Sequence, residues 1–219
     1  MTDRAAAEAE AVRARYERRS GDVRHDIFAP DVLLRGQGRE RALLALFKQV
    51  GAAPLDAKTV LELGCGEGII LLNLIRLGFD PAKLTGIDLR EPAVAAARRI
   101  LPASVQLMAE DATKVSAEGP FDIVMQSTMF SSILDHRVQE TIARRMWALT
   151  RRGGAVLWYD LAYDNPRNPD VRGLSLPRLR SLFPEGHMTA RRVTHPALYP
   201  LFDAIPPLRS HLLCWIQKP

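Results

Sequence analysis

The sequence predicts an α/β fold: a doubly wound, seven-stranded, mostly parallel sheet with helices on both faces. Three observations carry this expectation. Short β-branched and apolar runs alternate with helix-like segments from Lys58 to Tyr159. The connections between them are short, which suits parallel strands joined by right-handed helical crossovers. A glycine-rich stretch, Gly64-Cys65-Gly66-Glu67-Gly68, falls at the first passage from strand to helix, where open α/β sheets bind their ligands. The length, 219 residues, suits one such domain. We divide it into an N-terminal helical lid or extension, residues 1–56, and the sheet domain, residues 57–219.

Taken in order, residues 3–19 read as a helix of Ala, Arg and Glu, ended by Ser20-Gly21-Asp22. A looser stretch runs to Gly38. Arg39 to Val50 reads as an amphipathic helix with Leu43, Leu44, Leu46, Phe47 and Val50 on its apolar side, capped by Gly51. Strands follow at 59–63, 84–87, 105–108, 121–125 and 155–159. Helices at 69–77, 92–100 and 135–150 lie between them, with Pro92 in a first turn and Asp135 as an N-cap. Arg151-Arg152-Gly153-Gly154 reads as a connection. After Tyr163 the texture changes, and nine of the fifteen prolines lie from Pro166 to Pro219. We expect a loop at 164–173, a short helix at 176–183, and strands at 189–194 and 211–217 that extend the same sheet.

The composition is that of a globular protein: 47% apolar, 25% charged, formal net charge +5. The basic residues are mostly Arg and are mixed with acids, as in Arg13-Ala14-Arg15-Tyr16-Glu17-Arg18-Arg19, which speaks against a dedicated nucleic-acid surface. Two cysteines, Cys65 and Cys214, form neither a metal-ligand pattern nor a disulfide framework, so no metal is expected and a reducing compartment is. No apolar run reaches the roughly 18 residues of a membrane span. The N-terminus has Asp3, Glu8, Glu10 and Glu17 and lacks an apolar signal region. A cytoplasmic location is the expectation.

The glycine loop has chemical content. The dinucleotide pattern G-x-G-x-x-G requires glycine where Ile69 stands. The spacing is instead G-x-G-x-G, preceded by Glu62. A pyrophosphate would be repelled by that acid, whereas an ammonium would be held by it and a carboxylate by the loop N–H groups. In this loop the sequence resembles the class I S-adenosylmethionine-dependent methyltransferases, whose first motif looks like Val60-Leu61-Glu62-Leu63-Gly64-Cys65-Gly66-Glu67-Gly68. The resemblance covers residues 58–160 and implies a Rossmann-like sheet. It implies S-adenosyl-L-methionine as cofactor and S-adenosyl-L-homocysteine as product. Glu62, Gly64, Cys65, Gly66 and Gly68 would then cradle the amino-acid end. Asp88 would bind the ribose diol and Leu89 pack on adenine. Asp111 and Ala112 would read the ring, and Gln126 and Ser127 would line the methionine end, with Met129 and Phe130 as walls. Leu157–Asp160 followed by Tyr163–Asp170 resembles a subgroup of bacterial methyltransferases, some found among surface-polysaccharide or secondary-metabolite genes.

Methyl transfer from a sulfonium is an in-line displacement that proximity alone can drive, so a base is optional. Candidates are Asp160 at the end of the fifth strand, then His136 and His195, whose imidazoles titrate near neutrality. His136 also reads as an ordinary first helical residue after Asp135, and His195 as a turn residue before Pro196. Gln126-Ser127-Thr128-Met129 lacks both the Asn/Asp-Pro-Pro-Tyr/Phe motif of amino methylases and the nucleophilic cysteine of cytosine-C5 enzymes. The aromatic and apolar loops suit a small-molecule acceptor, giving a hydroxyl or amine methyltransferase as the expectation. An RNA or protein acceptor, or cofactor binding without catalysis, remains open. The N-terminal helix is open to three roles: lid, solvated helix, or homodimer contact.

Overall fold

The computed structural model describes residues 2–18, 30–166, 168–193 and 210–219. The helices are α1 (Thr2–Arg18), α2 (Pro30–Val50), α3 (Ile69–Arg76), α4 (Glu91–Ile100), α5 (His136–Leu149) and α6 (Leu176–Leu182). The strands are β1 (Val60–Leu63), β2 (Leu84–Asp88), β3 (Gln106–Ala109), β4 (Phe121–Ser127), β5 (Thr150–Leu161), β6 (His187–Val193) and β7 (His211–Gln217). They form one sheet in the order β3-β2-β1-β4-β5-β7-β6. β1 to β5 run parallel, and β7 is inserted antiparallel between β5 and β6.

The strand order reverses beside β1, between its neighbours β2 and β4. That places the carboxyl ends of β1, β2 and β4 around one crevice, the position where doubly wound sheets take ligands. The register makes the arrangement specific. Glu62 lies between Gly86 and Met125, and Gln126 between Leu63 and Trp158. Alternate side chains therefore point to opposite layers. One layer packs Leu46 and Phe47 of α2, Leu71 and Leu74 of α3 and Ala97 of α4 against Val60, Met125, Leu157 and Trp215. The other packs Ile142 and Met146 of α5 and Leu179 of α6 against Leu61, Val124, Trp158 and Ile216. Central strands buried on both faces read as continuous apolar runs.

Two elements start well before the expected residue, α2 and β5. α2 begins at Pro30, nine residues before Arg39. Proline suits a first helical position, and Gly36 and Gly38, which suggested a loose stretch, cost a helix only about 1 kcal/mol each. β5 runs from Thr150 through the Arg-Arg-Gly-Gly segment expected to connect. There it bulges: the register passes from Phe121↔Thr150 to Ile123↔Ala155, with Gly153 at φ 71, a conformation glycine takes at no steric cost. The pairing is kept by Gly153 N donating to Lys218 O and Lys218 N to Gly154 O. Asp135 caps α5 as expected, its carboxylate accepting from the N–H groups of Arg137 and Val138. Among the described residues, no helix is long and apolar enough to cross a membrane.

Candidate active site

The glycine loop turns the chain sharply from β1 into α3. Cys65 N donates to Ile87 O at 2.9 Å, locking the loop to β2, and Gly68 N donates to Cys65 O at 2.9 Å. Gly68 sits at φ 82, and a Cβ there would stand 2.7 Å from Leu101 and 3.0 Å from Ala97 of α4. Gly64, at φ 70, is covered by Met129, whose side chain would meet a Cβ at 2.8 Å. The loop is thus pressed between α4 on one side and the segment after β4 on the other. Cys65 lies buried beneath it, and burial pushes its thiol well above the ordinary range, so it is no nucleophile.

Glu62 is fully buried, and neither carboxylate oxygen has a hydrogen-bond partner. Burial pushes its pKa up to about 8, against the pull of the Arg39 guanidinium and with a further push from Asp88. Buried polar groups are almost always satisfied, so a naked carboxylate behind a glycine loop is a site awaiting a donor. Ser127 Oγ, also buried and without a partner, lies at the end of β4, two residues beyond Met125, the register partner of Glu62. The donor set fits a ligand with an ammonium group: one anionic acceptor pair, one hydroxyl, and loop backbone.

Asp88 ties the second strand end to the loop. Its carboxylate accepts from Gly66 N at 2.9 Å, and from Arg90 N at 2.9 Å and Arg90 Nε at 3.2 Å. A carboxylate offers about four acceptor positions, and these three bonds leave one, on Oδ2, for a ligand hydroxyl. Leu89 and Asp111 line one cavity of about 240 Å³, together with Ala109, Glu110 and Lys114. A water takes about 30 Å³ of liquid, so this space is of heterocycle size rather than solvent size. Asp111 is held by Thr113 N at 2.8 Å. Ala112 is half-buried against the α5 layer. Ala6, Ala9 and Arg13 of α1 close the cavity.

Gln126 is buried and works as a strut. Its Oε1 accepts from Met129 N at 3.0 Å and Phe130 N at 3.4 Å, while Nε2 donates to Tyr159 O at 3.3 Å. Asp160 is buried beside it. Oδ2 accepts from Ser131 N at 3.1 Å and Oδ1 from Leu161 N at 2.8 Å. Burial pushes its pKa up to about 6 against these hydrogen bonds. His136 is exposed in the first turn of α5, its Nδ1 3.3 Å from Gln139 Oε1, and it lines neither cavity. His195 lies outside the described residues.

The structure adds residues that the sequence did not single out. His211 of β7 is buried and stacked on Tyr159, rings 5.1 Å apart and 7° from parallel, with Nδ1 2.9 Å from Ser210 Oγ. Arg39 of α2 lies over the Tyr159 ring, its Cζ 5.7 Å from the centroid. Arg39 and Tyr159, with Glu40, Asn73, Gln126 and Ser127, line a second, smaller cavity of about 30 Å³ whose remaining walls are apolar. A histidine opening the apolar run His211-Leu212-Leu213-Cys214-Trp215 was the one sequence signal for this cluster.

Residues 60–154 match the model of a methyltransferase domain. That match covers 95 of the chain's 219 residues. The chain is 29% identical over 184 residues to a trans-aconitate 2-methyltransferase of Azoarcus sp. (strain BH72), spanning 81% of this chain and 66% of that one. It is 36% identical over 100 residues to a ribosomal RNA small subunit methyltransferase C of Mannheimia succiniciproducens, spanning 43% of this chain and 29% of that one. The chain therefore spans less than two thirds of these curated relatives. The solved magnesium protoporphyrin IX methyltransferase of Synechocystis PCC 6803 with bound S-adenosylhomocysteine shares the fold. Its TM-score is 0.69 at 13% identity, over 96% of this chain and 100% of that one.

Proposed function

We propose that the chain transfers a methyl group from S-adenosylmethionine to a hydroxyl or amine of a small-molecule acceptor, with S-adenosylhomocysteine as product. The observation that carries the reading is Glu62, a buried carboxylate without a partner directly beneath a glycine loop. When bound, the cofactor supplies an electrophilic methyl on a sulfonium. Glu62 receives the ammonium, and the Gly64–Gly68 loop borders the carboxylate, with Cys65 as buried packing. Asp88 accepts from the ribose diol, Leu89 packs on the adenine, and Asp111 and Ala112 border it. Ser127 and the end of β4 line the methionine end. Within the N-terminal extension α1 acts as the lid, since its Ala6, Ala9 and Arg13 line the cavity of Leu89 and Asp111.

The protein's part in the chemistry is alignment and exclusion of water. Gln126 and Asp160 hold the backbone from Met129 to Ser131, and Met129 covers Gly64 of the glycine loop. Both Asp160 oxygens are taken by main-chain donors, which supports a positioning role over that of proton acceptor. The exposed side chain of His136 supports no base role. Proton removal is left to solvent after transfer.

The relatives are named for trans-aconitate and for ribosomal RNA. The intermixing of Arg with acids along the chain, as in Arg13-Ala14-Arg15-Tyr16-Glu17, supports the small molecule over RNA. Calorimetric titration with S-adenosylmethionine, S-adenosylhomocysteine and NAD tests the cofactor reading. Micromolar binding of both sulfur ligands and none of NAD is expected; binding of NAD alone, or of none, overturns it.

A further inference from the structure

Two charged residues of α1 are withdrawn from solvent. Glu8 and Arg15, two helical turns apart, form an ion pair at 2.9 Å with side chains 12% and 11% exposed. Desolvating a pair costs as much as its attraction returns, so pairing alone does not account for their burial. Each reaches beyond the helix to the main chain that follows β4. Glu8 Oε1 accepts from Leu134 N at 2.8 Å, and Arg15 Nη1 donates to Ser132 O at 2.9 Å. Tyr16 follows them, its hydroxyl 3.5 Å from Ser132 Oγ. Its ring carries Arg90, the partner of Asp88, at 4.2 Å.

The amides of this segment can be accounted for one by one. Met129 and Phe130 donate to Gln126, and Ser131 to Asp160. Ser132 and Ile133 donate back to Met129 and Phe130 carbonyls. Leu134 donates to Glu8. The segment is therefore clamped from the sheet at one end and from α1 at the other. Ala6 and Ala9 of the same helix close the cavity over Leu89 and Asp111.

We infer that Glu8 and Arg15 are positioning residues that tie the segment Met129–Leu134 to α1, so that closure of α1 over the adenine cavity sets the wall facing the methyl acceptor. The inference rests on the proposed cofactor reading for what lies under the helix. α1 is held largely by polar contacts, a mark of an element that opens at low cost. A ligand that binds beneath it favours the docked helix, and the docked helix fixes the segment. Coupling of this kind is reciprocal, so cofactor and acceptor reinforce each other's binding.

The test is amide hydrogen exchange on the full chain, comparing the unaltered protein with Glu8→Ala/Arg15→Ala and with Glu10→Ala, an exposed control on the same helix. Alanine keeps helix propensity. Without ligand, exchange at residues 129–134 is expected to quicken at least tenfold in the double variant, with β1 and β4 amides and the control unchanged. With saturating S-adenosylhomocysteine, the segment slows at least tenfold in the unaltered chain and less than twofold in the double variant. Should the double variant fail to fold, Glu8→Gln, which keeps an acceptor for Leu134 N and removes the charge, is expected to quicken the segment two- to fivefold. Equal exchange in the ligand-free unaltered and variant chains overturns the inference. Absence of S-adenosylhomocysteine binding to the unaltered chain overturns the cofactor reading instead, while the ligand-free comparison still decides the tie between α1 and the segment.

Discussion

Replacing Glu62 by Gln should stabilise the ligand-free fold and weaken the ligand site at once. The side chain is fully buried, and burial pushes its pKa from 4.5 to about 8. Between those values the folded chain holds a proton that the unfolded chain has lost. Stability therefore falls as pH rises through this window and levels off above it. The cost to the ionised form is about 1.4 kcal/mol per pH unit, with a ceiling of roughly 5 kcal/mol. Glutamine has the same shape, so no cavity opens, and its neutral amide removes the slope. Urea unfolding of both chains at pH 5, 6.5 and 8 measures the difference. The stability gap should widen in favour of Glu62→Gln by roughly 3–4 kcal/mol from pH 5 to pH 8. The same change should weaken S-adenosylhomocysteine binding more than tenfold. Binding to the unaltered chain at pH 7 should release close to one proton, read by calorimetry in two buffers, because the ammonium requires the ionised carboxylate. A gap that stays constant to within about 0.5 kcal/mol across the pH range, with no proton release, would refute the reasoning.

Asp160→Asn keeps an oxygen for Ser131 N and should retain kcat within a few-fold, while Asp160→Ala orphans that N–H, costs roughly 1–3 kcal/mol by urea unfolding, and lowers kcat. A loss of about a hundredfold or more in both variants would instead mark Asp160 as a proton acceptor. Since burial pushes this carboxyl up to about 6, its ionisation lowers stability as pH rises from about 4 to 6, and Asp160→Asn should flatten that part of the unfolding curve. Asp88→Ala should weaken S-adenosylmethionine more than tenfold by titration, because Gly66 N and Arg90 lose their partner together with the ribose; unchanged affinity in a folded variant would remove Asp88 from the site.

Local chemistry carried the sequence-based reading. Turn glycines at fixed offsets, β-branched runs and Asp135 as a cap are rules that act within a few residues, and they placed each strand from β1 to β5 and the loop joining β1 to α3. The spacing of Glu62, Gly64, Gly66 and Gly68 belongs to the same class, since one short segment holds the whole motif. The tertiary structure alone decided what those side chains meet. That Glu62 has no partner is a fact of burial, and that Asp160 serves the backbone after β4, that His211 stacks on Tyr159, and that Glu8 and Arg15 reach Leu134 and Ser132 are contacts between residues 29 or more apart, or beyond 100 for the α1 contacts. Burial and hydrogen bonding across such separations depend on how strands register and helices dock, and no local pattern encodes them. The early start of α2 and the bulged β5 follow the same rule: Gly36, Gly38 and Gly153 are permissive locally, and packing chose helix for two of them and strand for the third.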